Sequence, residues 1–139
     1  PFCGFPLEVY IMRFYVSGGP ENTQRVAEIN EALAHNGHII TAPSVMAGTG
    51  YDALFEAAYK KVFSVTDADF VLLLLPGSYE THVELGLALA SRNNKRIVLW
   101  SETGNEYADG AAACAFYHHT AVERRSGSFE ELLEMLLTL

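Results

Sequence analysis

Two short stretches hold the residue types that could do chemistry: Tyr15-Val16-Ser17-Gly18-Gly19 and Pro76-Gly77-Ser78-Tyr79-Glu80-Thr81-His82-Val83-Glu84. Each follows an apolar run and precedes a segment of helical period, so each reads as a strand-to-helix turn. Glycine there lets the backbone approach a ligand closely, and the free N–H groups of the following helix favour an anion. A phosphate can be held in such a turn without Lys or Arg. The first turn is not GxGxxG and no GxxxxGK[ST] occurs, so neither a Rossmann dinucleotide site nor a P-loop kinase is supported. Glu84, in the first turn of its helix, is the carboxylate best placed for chemistry. It also fits a structural role, because Thr81-x-x-Glu84 has the spacing of a capping box in which Glu84 would bond only the backbone N–H of Thr81. His82, at the same helix start, has the chemistry to contact a phosphate or act as an acid. His118 and His119, read as strand neighbours, point to opposite faces and cannot readily share one ion; no metal or other cofactor is expected.

The elements that must position these residues follow from hydrophobic period. Val9 to Val16 is β-branched and aromatic and stops at Ser17-Gly18-Gly19-Pro20, a strand ending in a turn. Val26, Ile29 and Leu33 recur at helical spacing between Asn22 and Asn36, and His38 to Ala42 is a short second strand. The loop PSVMAGTG leads into a second helix over 51–65, expected to bury Leu54, Phe55, Ala58, Tyr59, Val62 and Phe63. The run FVLLLL, apolar throughout, fits a central parallel strand covered on both faces. A third helix over 81–92, a fourth strand over 96–100 and a polar loop over 101–114 come next. AFYHH at 115–119 is the expected fifth strand, and Ser128 caps a last helix with Phe129, Leu132, Leu133, Leu136 and Leu137 inward. Alternating strands and helices predict an α/β domain: a flavodoxin-like three-layer sandwich, its five-stranded, mainly parallel sheet carrying helices on both faces in the order 2-1-3-4-5. Ligands then belong beyond the carboxyl ends of strands one and three, where both turns lie.

Nine Lys and Arg against 17 Asp and Glu leave a net charge of −8 over 139 residues, with half of the residues apolar. That is the balance of a folded, acidic single domain with no electrostatic footprint for long nucleic acid or an anionic membrane. The apolar run from Phe70 ends at Pro76-Gly77, far short of the roughly 20 residues that span a bilayer. Two cysteines, Cys3 and Cys114, form neither a CxxC pair nor a disulfide framework, which suits a cytoplasmic location. Residues 1–11 lack the basic n-region of a signal peptide and read as an atypical extension ahead of Met12, with one domain over 12–139.

The set FYVSGG, then TDAD before an apolar strand, then LLLLPGSYETHVELGLALA followed by NNKRIVLW, resembles the nucleoside 2-deoxyribosyltransferase family and its nucleotide N-hydrolase relatives. The resemblance implies cleavage or transfer at the N-glycosidic bond of a (deoxy)nucleoside or its 5'-monophosphate, with Glu84 as nucleophile and Tyr15 holding its carboxylate. Ser78, six positions before Glu84 where the transferases carry Asp, points to the hydrolase branch and so to nucleotides. Ser17, Gly18, Gly19, Gly77, Ser78, Thr81 and His82 would form the phosphate and sugar cradle. The family's further Asp, eight positions before the Asp of the third strand, is matched here by Lys61, so the acid would have to come from Asp67, Asp52, Glu56 or a partner chain. Asp67 also suits a plain helix-terminating residue. The resemblance and the apolar last helix both suggest a homodimer or higher homo-oligomer. PGSYETHVE also resembles the PGGxGTxxE motif of the lysine-decarboxylase-like phosphoribohydrolases, with Ser78 and Glu80 in place of glycines. Two further readings stay open: a nucleotide-binding sensor domain without chemistry, and a non-enzymatic interaction module.

Overall fold

The computed structural model describes residues 10–42, 48–91 and 94–139. The extension up to residue 9, Cys3 and most of the 43–50 loop therefore lie outside the described residues. Five strands, β1 (Arg13–Gly18), β2 (Ile39–Ile40), β3 (Phe70–Leu75), β4 (Arg96–Ser101) and β5 (Val122–Ser126), alternate with four helices, α1 (Thr23–His35), α2 (Tyr51–Asp67), α3 (Tyr79–Ala90) and α4 (Phe129–Leu137), except between β4 and β5, which are joined by 3-10 turns. The sheet order is β2-β1-β3-β4-β5 and every pair is parallel, as the alternation predicted. No described helix is long and apolar enough to cross a membrane.

Strand alternation sorts the core into two layers. Phe14, Val16, Leu72, Leu74, Val98 and Trp100 face one side with Ile29 and Leu33 of α1 and Leu132 and Leu136 of α4. Tyr15, Val71, Leu73, Leu75, Ile97 and Leu99 face the other with Val65 of α2 and Leu85 and Ala88 of α3. Every residue of β3 is buried, which its unbroken apolar run required. The carboxyl end of α2 is closed by Lys95, whose ammonium donates to the carbonyls of Val65 at 2.9 Å and Thr66 at 3.0 Å.

Three expectations need correction. The fifth strand is VERRS at Val122–Ser126, and Ala115–His118 forms a 3-10 turn whose Tyr117 packs into the core. At an edge, a strand needs only one buried side, so charged residues are tolerated and the apolar AFYHH was the misleading signal. Leu54, Phe55, Ala58, Tyr59, Val62 and Phe63 of α2 are exposed; the buried residues of the helix are Ser64 and Val65 instead. In α4, Leu132 and Leu136 are buried as expected but Leu137 is exposed.

Candidate active site

The two Gly turns meet at the carboxyl end of the sheet, where winding reverses between β1 and β3. Gly19 N–H donates to Pro76 O at 3.1 Å, tying one turn to the other. A Cβ on Gly19 would stand 2.4 Å from Pro76 O, and one on Gly18 2.9 Å from Leu74 O. Gly18 and Gly19 thus allow close approach of backbone to backbone. Gly77 is likewise squeezed, its missing Cβ falling 2.8 Å from Thr81.

The second turn caps α3 in a way that decides the status of Glu84. Ser78 is the N-cap: its Oγ accepts from Thr81 N at 3.4 Å, and Ser78 N donates to Thr81 Oγ1 at 3.0 Å. The reciprocal box is therefore Ser78 with Thr81, and Glu84 plays no part in it. Thr81 is buried with its hydroxyl committed to the cap, so it supports the turn from behind and does not face a ligand. One turn further along, Glu84 points inward and is only 3% exposed.

Glu84 is held by β1. Ser17 Oγ donates to Glu84 Oε1 at 3.0 Å, and Tyr15, two residues earlier on the same side of the strand, presents its hydroxyl to the same carboxylate. Glu84 Oε2 is buried with no hydrogen-bond partner. Burial raises the Glu84 pKa above its ordinary value, while Tyr15, Ser17 and the charge of Lys61 pull it down. Burial, with the Glu84 charge second, pushes the Tyr15 phenol far upward, so it stays a neutral donor. A carboxyl group with one oxygen fixed and the other without a partner has the form of a positioned nucleophile. Sequence reasoning found Tyr15 and Glu84 together; it placed Ser17 in the cradle and missed its bond to Glu84, which only the pairing of β1 with β3 reveals.

Other expected site residues lie elsewhere. Asp67 ends α2 and accepts from Arg13, Nε at 3.0 Å, at the amino edge of β1. Ser17, which bonds Glu84, stands four residues along β1 from Arg13, roughly 13 Å, and Asp67 is turned toward Arg13 at the far end of the strand, so Asp67 is not placed to protonate a leaving group at Glu84. Asp52 and Glu56 sit on the exposed side of α2, and Glu56 pairs with Lys60 at 3.0 Å. Lys61 reaches from α2 to bridge Glu80, one turn from Glu84 on α3. His82 faces the opposite side of α3: its Nδ1 meets Ser78 O at 2.7 Å and its Nε2 meets the Tyr117 hydroxyl at 2.6 Å. Since a carbonyl only accepts, Nδ1 carries the proton and Nε2 accepts from Tyr117. Beside this pair opens a cavity of about 540 Å³, lined by Pro76, Gly77, Glu106, Cys114 and neighbouring residues. Among the described residues, no group of three or more His, Cys, Asp or Glu is placed to hold a metal ion.

No family model matches the chain, and no curated protein matches it in sequence. Solved structures do share its fold. The CMP N-glycosidase BcmB of Clostridium botulinum superposes with a TM-score of 0.60 at 16% identity, over 88% of this chain and 97% of that one. A conserved protein from Enterococcus faecalis V583 gives 0.57 at 15% identity, over 92% and 98% of the two chains. At such identities the likeness is one of fold: a five-stranded parallel α/β sandwich spanning almost the whole of each neighbour.

Proposed function

We propose that the chain cleaves or transfers the N-glycosidic bond of a (deoxy)nucleoside 5'-monophosphate, acting as a homo-oligomer. The observation that carries the reading is the buried Glu84 carboxylate at the switch point, one oxygen held by Ser17 and the other without a partner. Glu84 Oε2 attacks C1', the C1'–N bond breaks with its electron pair going to the base, and the base takes a proton from solvent. Water, or a second base, then attacks C1' and regenerates the carboxylate. Tyr15 and Ser17 favour the ionised form of Glu84 against the effect of burial, and aim it. Lys61, whose charge is felt at Glu84, offsets the negative charge of the departing base. The phosphate sits against the α3 N-terminus and the Gly77-Ser78 backbone, where helix N–H groups favour an anion in an acidic chain. The fold shared with a CMP N-glycosidase supports a nucleotide substrate.

The absence of Asp67 from the crevice favours one other reading, a nucleotide-binding domain without turnover. Incubation with deoxynucleosides, nucleoside monophosphates and their 2'-deoxy forms, followed by chromatography for free base, separates the two. Release of base from a monophosphate supports the enzyme; thermal stabilisation by the nucleotide with no base released supports the sensor.

A further inference from the structure

Parallel neighbours in a sheet are usually joined by a crossover helix, and between β4 and β5 that helix is missing. Residues 102–121 run there as an irregular connection with two 3-10 turns. Irregular connections longer than about 12–15 residues are uncommon in compact domains and are mostly functional. This one is anchored from below. Buried Ser101 accepts from Gly104 N at 2.9 Å and donates to Glu106, and the Tyr107 hydroxyl donates to Arg125 O at 2.8 Å. Tyr117 inserts into the core while Arg124 donates to its carbonyl at 3.0 Å. Between these anchors and the Pro76-Gly77 turn opens the cavity of about 540 Å³, well inside the range of about 300–1,000 Å³ common for small-molecule sites.

The side chains of its wall select a ligand. His82 is exposed, and its ring is fixed at both nitrogens, by Ser78 O at 2.7 Å and the Tyr117 hydroxyl at 2.6 Å, so its face is held ready to stack on a flat ring. Burial first, then Cys114 and Glu106, pushes the Tyr117 phenol up to about 12, so Tyr117 keeps its proton and that bond. Glu106 engages Ser101 through Oε2, and Asp109 Oδ1 accepts from Gly110 N at 2.9 Å. Each carboxylate has a second oxygen without a bond among the described residues, ready to accept from a ligand N–H. No Lys or Arg lines the cavity, so a phosphate inside would meet two carboxylates and no opposite side-chain charge.

We infer that this cavity is a second ligand site, taking an uncharged heteroaromatic ring with an exocyclic amine: a free amino base such as adenine or cytosine, and not its nucleotide. The ring stacks on His82, and its amino and ring N–H groups donate to Glu106 and Asp109. The site is separate from the crevice of Glu84. His82 and Glu84, two residues apart on α3, are turned about 200° from each other, so the helix stands between them. Binding here requires no turnover at Glu84.

Thiol reactivity reads occupancy directly, because Cys114 lines the cavity and Cys3 is the chain's one other cysteine. In the full chain carrying Cys3→Ser, adenine or cytosine is expected to slow the reaction of Cys114 with a thiol reagent. Hypoxanthine and uracil, in which an oxo acceptor replaces the amine, should need about tenfold higher concentration for the same protection, and Glu106→Gln and Asp109→Ala should each weaken adenine by a similar factor. Where Glu106→Gln fails to fold, Asp109→Ala, at an exposed loop position, carries the test. With Glu84→Gln added, adenine should protect at unchanged concentration, and a nucleoside monophosphate should neither protect Cys114 nor displace the base. No protection by the amino bases, equal protection by the oxo bases, or protection abolished by Glu84→Gln or by the monophosphate would each overturn the site. Amino bases that bind to a chain releasing no base from any monophosphate would count against the proposed function and leave the cavity site standing.

Discussion

At the scale of single residues, Tyr15, Ser17 and Lys61 together set the state of one carboxylate. Burial raises the Glu84 pKa, and Tyr15 and Ser17 oppose the rise. A nucleophile must be ionised, so the acidic limb of kcat/KM is expected above the ordinary glutamate value. Tyr15→Phe removes a group that lowers the Glu84 pKa, and its acidic limb should move to higher pH; a pH-rate profile reads this directly. An unmoved limb would separate Tyr15 from the charge state of Glu84. Asp67 belongs to the opposite edge of the sheet. Its half-exposed pair with Arg13 is worth about 1 kcal/mol or less, and Asp67→Asn should leave base release at the wild-type rate.

At the scale of elements, the site depends on two strand-to-helix turns fitted against each other. Gly19→Ala places a methyl carbon 2.4 Å from Pro76 O, a clash with backbone that no rotamer relieves. It should cost about 1–3 kcal/mol in denaturant unfolding and slow base release by shifting β1 away from Glu84. Much of this frame was legible in the sequence. The unbroken FVLLLL run announced a doubly covered strand, and alternating elements gave the order of the sheet. The turns were also legible, because glycine next to a strand end has few other uses. Three features were not. VERRS reads as loop because an edge strand keeps little apolar pattern, while AFYHH reads as strand although it contributes only Tyr117 to the core. The large apolar residues of α2 read as buried because periodicity reports that a helix has an apolar face and cannot say which neighbour covers it. The T-x-x-E spacing concealed that the cap begins three residues earlier, at Ser78.

At the scale of the whole molecule, the proposed function has an acidic chain commit a buried carboxylate to chemistry, at a cost to stability. Because the folded-state pKa of Glu84 lies above the unfolded one, its contribution is present below the ordinary value near 4.5 and is lost as pH rises through the folded pKa. Glu84→Gln removes that charge. Thermal unfolding should show Glu84→Gln more stable than wild type at pH 7, with the difference vanishing near pH 4. The same variant gives the most direct test of the central claim. Wild type and Glu84→Gln, both folded by circular dichroism, are incubated with a panel of nucleoside and 2'-deoxynucleoside monophosphates, and free base is quantified by chromatography. The account predicts base release by wild type that falls by about 10³-fold or more in Glu84→Gln. Equal release by the two proteins would contradict it.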